Sequence, residues 1–236
     1  MQTRHISLLL CAGLVLCGFA VSKMALARGP DMAGGVAFPF GPNLSATGWQ
    51  SVSSPWRRGA RFSAHGKDAL VVETAGGFGL LWHAVPRQVA RAEQARWRWR
   101  KQMGVGPTDL TKKGGDDRVL ALYFAFANPA DVKPGTDLSE LLRSGRGQVL
   151  VYVWGGAAKP GTVLPLPYFD GRGRTIVKRA ANAKPGVWFD EEAAVRADFA
   201  RAFGKAPGHL VAIGVSSDAD DTGGRNVVAL ADLCVK

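Results

Sequence analysis

The sequence predicts an all-β protein with one short helix, folded as an antiparallel β-sandwich of the jelly-roll kind. Nine short segments of alternating or wholly apolar residues recur along the chain, separated by clusters of Gly, Pro and Asp. Only one segment has helical spacing, and strands and helices do not alternate as they would around a parallel sheet. Because 47% of the 236 residues are hydrophobic and 21% are charged, the composition excludes a disordered chain and a polytopic membrane protein.

The N-terminus is predicted to be a secretory signal peptide covering residues 1–27. Arg4 precedes the apolar run Ile6–Val21, and the small-residue pattern Ala25–Ala27 follows it. The run is shorter than the roughly 20 residues that a spanning helix needs, and an uncleaved anchor is the alternative interpretation. We therefore expect an exported protein, periplasmic or fully secreted, without a membrane span after cleavage. Residues 28–236 are expected to form a single β-sandwich domain.

The predicted strands follow a Gly- and Pro-rich lead-in. In Arg96–Gln102 tryptophans alternate with arginines, as in a strand with one buried face. Arg118–Phe126 and Gln148–Trp154 are apolar on both faces, which predicts central strands. The other predicted strands are Lys67–Thr74, Phe78–Val85, Arg174–Arg179, Val187–Glu191, Leu210–Ser216 and Asn226–Val235.

One helix is predicted over Glu192–Phe203. Val195, Phe199 and Phe203 recur at intervals of four residues and therefore share one face. Gly204 is typical of the residue that ends a helix. A single helix among so many strands favours the sandwich over a fold built from strand–helix–strand units.

An ordered set of short motifs supports the same fold. Together they resemble the bacterial secreted family catalogued as domain of unknown function 3047, over roughly residues 38–234. The resemblance implies a jelly-roll β-sandwich similar to lectins and carbohydrate-binding modules, and it implies no established activity. The motifs are Lys112–Asp117, Val151–Trp154, Pro167–Tyr168, Arg174–Val177, Gly186–Trp188, Asp198–Gly204 and Ser217–Gly223.

The chain is basic, with 30 Lys and Arg against 19 Asp and Glu, a formal charge of +11 and a pI near 10.0. The basic residues are spread along the sequence rather than gathered in blocks, so we expect no nucleic-acid partner. Attraction to acidic polysaccharide or to membrane phosphate is the alternative to a generally basic background. We expect a monomer.

Asp218 and Asp220 open a segment that resembles a calcium loop. Oxygen-bearing side chains alternate from Asp218 and are followed by Gly223, as at the start of an EF-hand loop. An EF-hand is excluded because Ala229 stands where a bidentate Glu is needed. A structural Ca²⁺ bound by Asp218, Asp220 and a remote ligand is one interpretation. The other is an Asp-rich turn that pairs with Arg225.

Asp117 is predicted to join this acidic segment. The Asp116–Asp117 pair directly precedes a central strand and is expected to face the same end of the sandwich as the acidic segment. The alternative is that these acids belong to separate surface turns. Converging carboxylates require a cation or a positive partner. Lys112, Lys113, Arg118 and Arg225 are the candidates for a partner without metal.

Seven tryptophans are the second notable group. Trp97, Trp99 and Trp154 lie on otherwise apolar strand faces, so we expect them in the core. Trp56 and Tyr168 lie in loop-like contexts and are the candidates for stacking against a sugar ring.

No motif identifies a catalytic centre. The histidines after residue 27 are scattered, and neither a nucleophile elbow, a zinc motif nor a phosphate-binding loop is present. We therefore favour a non-catalytic module that binds a glycan or another envelope polymer through Asp117, Asp218, Asp220, Arg225, Trp56 and Tyr168. One alternative is a polysaccharide-active hydrolase with its acid and base among Asp117, Asp218 and Asp220. Another is a structural envelope protein without a small ligand.

Overall fold

Two β-sheets pack face to face in the computed structural model of the protein. The structure describes residues 34–52, 59–66, 68–132 and 144–236, and the predicted signal peptide 1–27 and Trp56 lie outside the described residues. The strands are β1 Val36–Ala37, β2 Gln50–Val52, β3 Arg61–His65, β4 Ala69–Ala75, β5 Phe78–Ala84, β6 Ala95–Met103, β7 Arg118–Ala127, β8 Gln148–Trp154, β9 Val163–Pro165, β10 Gly173–Arg179, β11 Phe189–Ala193, β12 His209–Asp218 and β13 Arg225–Val235, and the helix α1 is Val195–Phe203. The predicted β-sandwich is confirmed, and the described residues include one short α-helix.

The six-stranded sheet has the order β11-β6-β13-β4-β3, with β1 paired to β13, and the seven-stranded sheet has the order β2-β5-β12-β7-β8-β10-β9. Among the described strands, every pair is antiparallel except β8 and β10, which run parallel. The chain leaves β8, forms the edge strand β9, and returns as β10 between the two. This long connection allows a parallel pair, which the expected antiparallel arrangement did not include.

Large aromatic side chains fill the space between the sheets. Trp97, Trp99 and Trp154 are at most 2% exposed, so their predicted place in the core is confirmed. They pack edge to face or tilted against one another, with Tyr152 beside them. The alternation in β6 leaves its arginines on the outer face of the six-stranded sheet.

Helix α1 starts three residues later than the sequence predicts. The residues before it form β11, in which Glu191 is paired with Trp97 of β6. Val195, Phe199 and Phe203 all lie in the helix, and Phe199 packs on Phe126 of β7. Gly204 ends the helix in the left-handed conformation (φ 71°), and its N–H donates to the carbonyl of Ala200.

The outer face of the seven-stranded sheet is also apolar, because β7 and β8 are buried on both faces. Leu166 and Leu110, which lie outside the strands, pack on this outer face and form a second hydrophobic cluster with it. Among the described residues, no helix is long and apolar enough to cross a membrane. The partly covered outer face is where the candidate site lies.

Candidate functional site

A pocket of about 240 Å³ lies on the outer face of the seven-stranded sheet. Strands β5, β7, β8 and β12 contribute its floor, and the loop between β9 and β10 contributes its rim. Most of the wall is apolar, which suits a ligand that has an apolar surface of its own. The lining residues are Phe78, Leu80, Asp116, Arg118, Tyr123, Ala125, Val149, Tyr168, Phe169 and Asp218.

Arg118 holds the polar end of the pocket together. Its Nη1 donates to the Oδ2 of Asp116 at 3.0 Å and lies 3.3 Å from the Oδ2 of Asp218, while its Nη2 donates to the hydroxyl of Tyr123 at 2.8 Å. The Arg118 side chain is only 8% exposed, and an unpaired charge buried to that extent would be strongly destabilising. The guanidinium is therefore fixed between two carboxylates.

Asp218 ends β12 directly opposite Arg118. Burial raises the pKa of Asp218 to about 7, against the lowering effect of the Arg118 guanidinium, and the carboxylates of Asp220 and Asp117 raise it further. Burial and the neighbouring acids therefore outweigh the ion pair. The Oδ1 atom of Asp218 is buried and has no hydrogen-bond partner among the described residues.

Asp117 anchors the turn between β12 and β13. Its side chain is fully buried and accepts hydrogen bonds from the Asp221 N–H at 3.3 Å and from the Thr222 N–H and hydroxyl at 2.8 and 2.5 Å. Carboxylate oxygens of Asp117, Asp218 and Asp220 lie within 4.8 Å of one another. The structure therefore brings together the three acids that the sequence predicts to converge, and these three could hold a metal ion.

Asn226 supports this cluster from inside the sandwich. Its side-chain amide donates to the carbonyl oxygens of Arg118 and Asp218 and to the hydroxyl of Ser217, at 2.9–3.1 Å. Its Oδ1 accepts the N–H of Val105 at 2.9 Å. The sequence analysis did not identify Asn226 as a residue of the site. The pattern that could have indicated it is a single amide side chain at the start of an otherwise apolar strand.

Tyr168 stands at the rim of the pocket, in the loop that the sequence predicts. It is 54% exposed, and its backbone is left-handed (φ 70°), as is that of Asp170 (φ 45°). Its hydroxyl oxygen accepts the N–H of Gly114 at 2.8 Å, and the ammonium of Lys113 lies 5.4 Å from its ring centre. These contacts fix a large aromatic side chain beside the polar end of the pocket.

Arg225 does not take the place that the sequence predicts. Its guanidinium lies 3.8 Å from Glu73 on the neighbouring strand β4, and its side chain is 58% exposed. The basic partner of Asp116 and Asp218 is Arg118 instead. The strand register places Arg118, and not Arg225, opposite Asp218.

The fold and the pocket define a class of protein: a β-sandwich with a mainly apolar pocket on one outer sheet face and a buried Arg–Asp cluster at its end. The family described as a protein of unknown function, DUF3047, matches residues 47–234, and the chain belongs to this family. Among curated proteins, no sequence matches this chain.

Solved structures with similar folds include several glycanases. A cellulase derived from Cel12A of Rhodothermus marinus is 14% identical, with a TM-score of 0.44, over 81% of this chain and 92% of that chain. The xyloglucanase domain of NopAA from Sinorhizobium fredii is 8% identical, with a TM-score of 0.44, over 80% and 92% of the two chains. Endoglucanase 3 of Trichoderma harzianum, from family GH12, is 10% identical, with a TM-score of 0.41, over 86% and 95%.

Proposed function

We propose that this protein is an exported, non-catalytic module that binds a glycan, with one sugar unit held in the pocket on the outer sheet face. The observation that carries the proposal is the make-up of that pocket: apolar walls and an exposed tyrosine beside a fixed guanidinium and two carboxylates. A sugar ring is complementary to such a surface, since its C–H faces are apolar and its hydroxyl groups donate and accept hydrogen bonds. Pockets of this kind obtain affinity from the walls and orientation from a few polar groups.

The conformation of Tyr168 supports this proposal. A tyrosine with a positive φ is strained, and such strain persists only where the surroundings enforce it, often at binding sites. Here the bond from Gly114 holds the phenol at the rim. An aromatic ring held in this way loses little side-chain entropy when a sugar packs on it.

The two carboxylates of the pocket support binding rather than hydrolysis. Asp116 and Asp218 contact the same Nη1 atom of Arg118, which fixes both as hydrogen-bonding groups. Of the three acids that the sequence offers for catalysis, Asp117, Asp218 and Asp220, Asp117 is fully buried and accepts three hydrogen bonds from the β12–β13 turn. A glycosidase needs two carboxyl groups that both reach the scissile bond.

Calorimetric titration of the full chain with soluble neutral, amino-sugar and uronic-acid oligosaccharides tests the proposal. We expect at least one of these classes to bind, and Tyr168→Ala to weaken that binding at least tenfold. Trp188→Ala is the matched control, because Trp188 is a partly exposed aromatic that stacks on Arg98 and Arg100 of the other sheet. Its affinity should equal that of the unchanged protein.

Three outcomes would contradict the proposal or a part of it. Absence of binding to all three classes, together with binding of a fatty acid, would make the pocket a site for an acyl chain. Release of reducing ends from a bound oligosaccharide, lost in Asp218→Asn, would make the protein a hydrolase. Equal affinities for Tyr168→Ala and the unchanged protein would remove Tyr168 from the site.

The export part of the proposal rests on the N-terminal sequence. We expect the protein expressed in a Gram-negative host to be recovered outside the cytoplasm, with an intact mass that lacks residues 1–27. Recovery of the uncut chain in the membrane fraction would instead support the uncleaved anchor.

A further inference from the structure

Three acidic side chains meet at the end of β12 and the start of β7, beside the pocket on the outer sheet face. The carboxylate oxygens that Asp117, Asp218 and Asp220 contribute lie within 4.8 Å of one another. Calcium binds carboxylate oxygens at about 2.4 Å, so ligands on opposite sides of the ion are about 4.8 Å apart. The three oxygens are therefore spaced as ligands of one ion can be.

Four acidic side chains lie close to one another at this position. Asp116, Asp117, Asp218 and Asp220 gather around one buried guanidinium, that of Arg118, which contacts Asp116 and Asp218. Like charges at this distance repel strongly in a buried environment unless a counter-charge lies between them. The cluster is thus suited to a cation beyond Arg118.

An independent observation points to a ligand at the same position. Asp218 is only 6% exposed, and its Oδ1 is buried and has no hydrogen-bond partner among the described residues, whereas its Oδ2 faces Arg118. A buried carboxylate oxygen without a donor costs free energy. A metal ion would satisfy this oxygen without disturbing the contact to Arg118.

We propose that Asp117, Asp218 and Asp220 form a calcium site that joins the start of β7 to the β12–β13 turn. The donor set consists of carboxylate oxygens without histidine or cysteine, which favours a hard cation over zinc or copper. Main-chain and hydroxyl hydrogen bonds to Asp117 already hold the turn in place, so the ligands are preorganised. Main-chain carbonyls of the turn and water complete the six to eight ligands that calcium takes.

The test is a calorimetric titration of the chelator-treated full chain with calcium chloride at pH 7.5, without any sugar. We expect one ion per chain with a dissociation constant of about 10⁻⁴ to 10⁻³ M, the range of extracellular calcium modules. We also expect the midpoint of thermal unfolding to rise by several degrees in excess calcium, because only the native state assembles the site. Magnesium should bind at least tenfold more weakly, since it requires a smaller, near-octahedral site.

The variants Asp220→Asn and Asp221→Asn form a matched pair. Both remove one negative charge from the same turn, but only Asp220 belongs to the three-oxygen group. Asp220→Asn should weaken calcium binding at least tenfold, and Asp221→Asn should weaken it less than threefold. The proposal is overturned if the unchanged protein shows neither a heat of calcium binding nor a rise in its unfolding midpoint. This result does not depend on whether a variant folds. Equal losses in the two variants would also overturn it, because they would indicate non-specific attraction to an acidic turn. Since no sugar is present, either result leaves the glycan proposal to its own test.

Discussion

Replacing Asn226 by alanine should destabilise the protein more than any change at its surface. Asn226 is fully buried and makes four hydrogen bonds that join β7, β12, β13 and the segment at Val105. Alanine would leave the N–H of Val105 and the carbonyl oxygens of Arg118 and Asp218 without this partner. Each buried group that loses its partner costs about 1–3 kcal/mol. Because a carbonyl oxygen has a second lone pair, we take the lower part of this range for each of the three groups. The free energy of unfolding should therefore fall by about 3–5 kcal/mol.

Urea unfolding measures this loss as the change in midpoint multiplied by the slope m. The matched control is Asn182→Ala, at an exposed position, which should stay within about 0.5 kcal/mol of the unchanged protein. Asn226→Asp keeps the acceptor for Val105 and the side-chain volume, but it turns an oxygen toward two carbonyl oxygens. This variant should therefore also lower the free energy of unfolding. The loss should grow as the pH rises above about 4, where the introduced carboxyl ionises in the unfolded chain. A loss below about 1 kcal/mol in Asn226→Ala, with m unchanged, would refute this account of the network.

Three further changes test other contacts of the fold. Tyr152→Phe should cost about 1.5–3 kcal/mol in urea unfolding, because the buried Tyr152 hydroxyl donates to Asp198 at 2.8 Å and joins β8 to α1; a cost near zero would show that the bond adds nothing. Gly208→Ala should lower the thermal midpoint by several degrees, since its Cβ would fall against the carbonyl oxygen of Ala127; an unchanged midpoint would mean that the backbone shifts freely. Burial raises the pKa of Asp232, so the fold loses stability as the pH rises from the ordinary carboxyl value through that raised pKa. The thermal midpoint of Asp232→Asn should therefore rise relative to the unchanged protein between pH 3 and 7, and a constant difference would contradict the sign.

Most of the fold could be predicted because its strands carry their own periodicity. β6 alternates Trp and Arg. β7 and β8 are apolar on both faces, which is typical of a central strand between two apolar layers. β1, β2, β3 and β9 were missed for local reasons. β1, β2 and β9 have only two or three residues, and β3 is a half-exposed edge strand with a weak pattern. The parallel pairing of β8 with β10 depends on the path of the connection between them, which no local pattern encodes.

The acidic part of the site could be predicted for a different reason. Asp117 precedes a central strand and Asp218 ends another, so both lie at strand ends that an antiparallel pairing brings together. That argument needs only the strand order and direction. To identify the basic partner, the register between the paired strands must also be known. The sequence leaves this register open by one residue or more, and a shift of one residue moves a side chain to the opposite face of the sheet. Arg225 was therefore as good a candidate as Arg118 from the sequence alone.

A β-bulge in β7 is what brings Arg118 to the pocket. Ala121 and Tyr123 face outward, so strict alternation would turn Arg118 inward with Leu120 and Leu122, into the core. The register shift prevents this: Ser216 is paired with Ala121 and Asp218 with Arg118, so three steps along β7 match two along β12. The extra residue reverses the alternation, and the guanidinium emerges on the same outer face as Asp218. The charged end of the pocket thus depends on one irregularity in an otherwise regular, apolar strand.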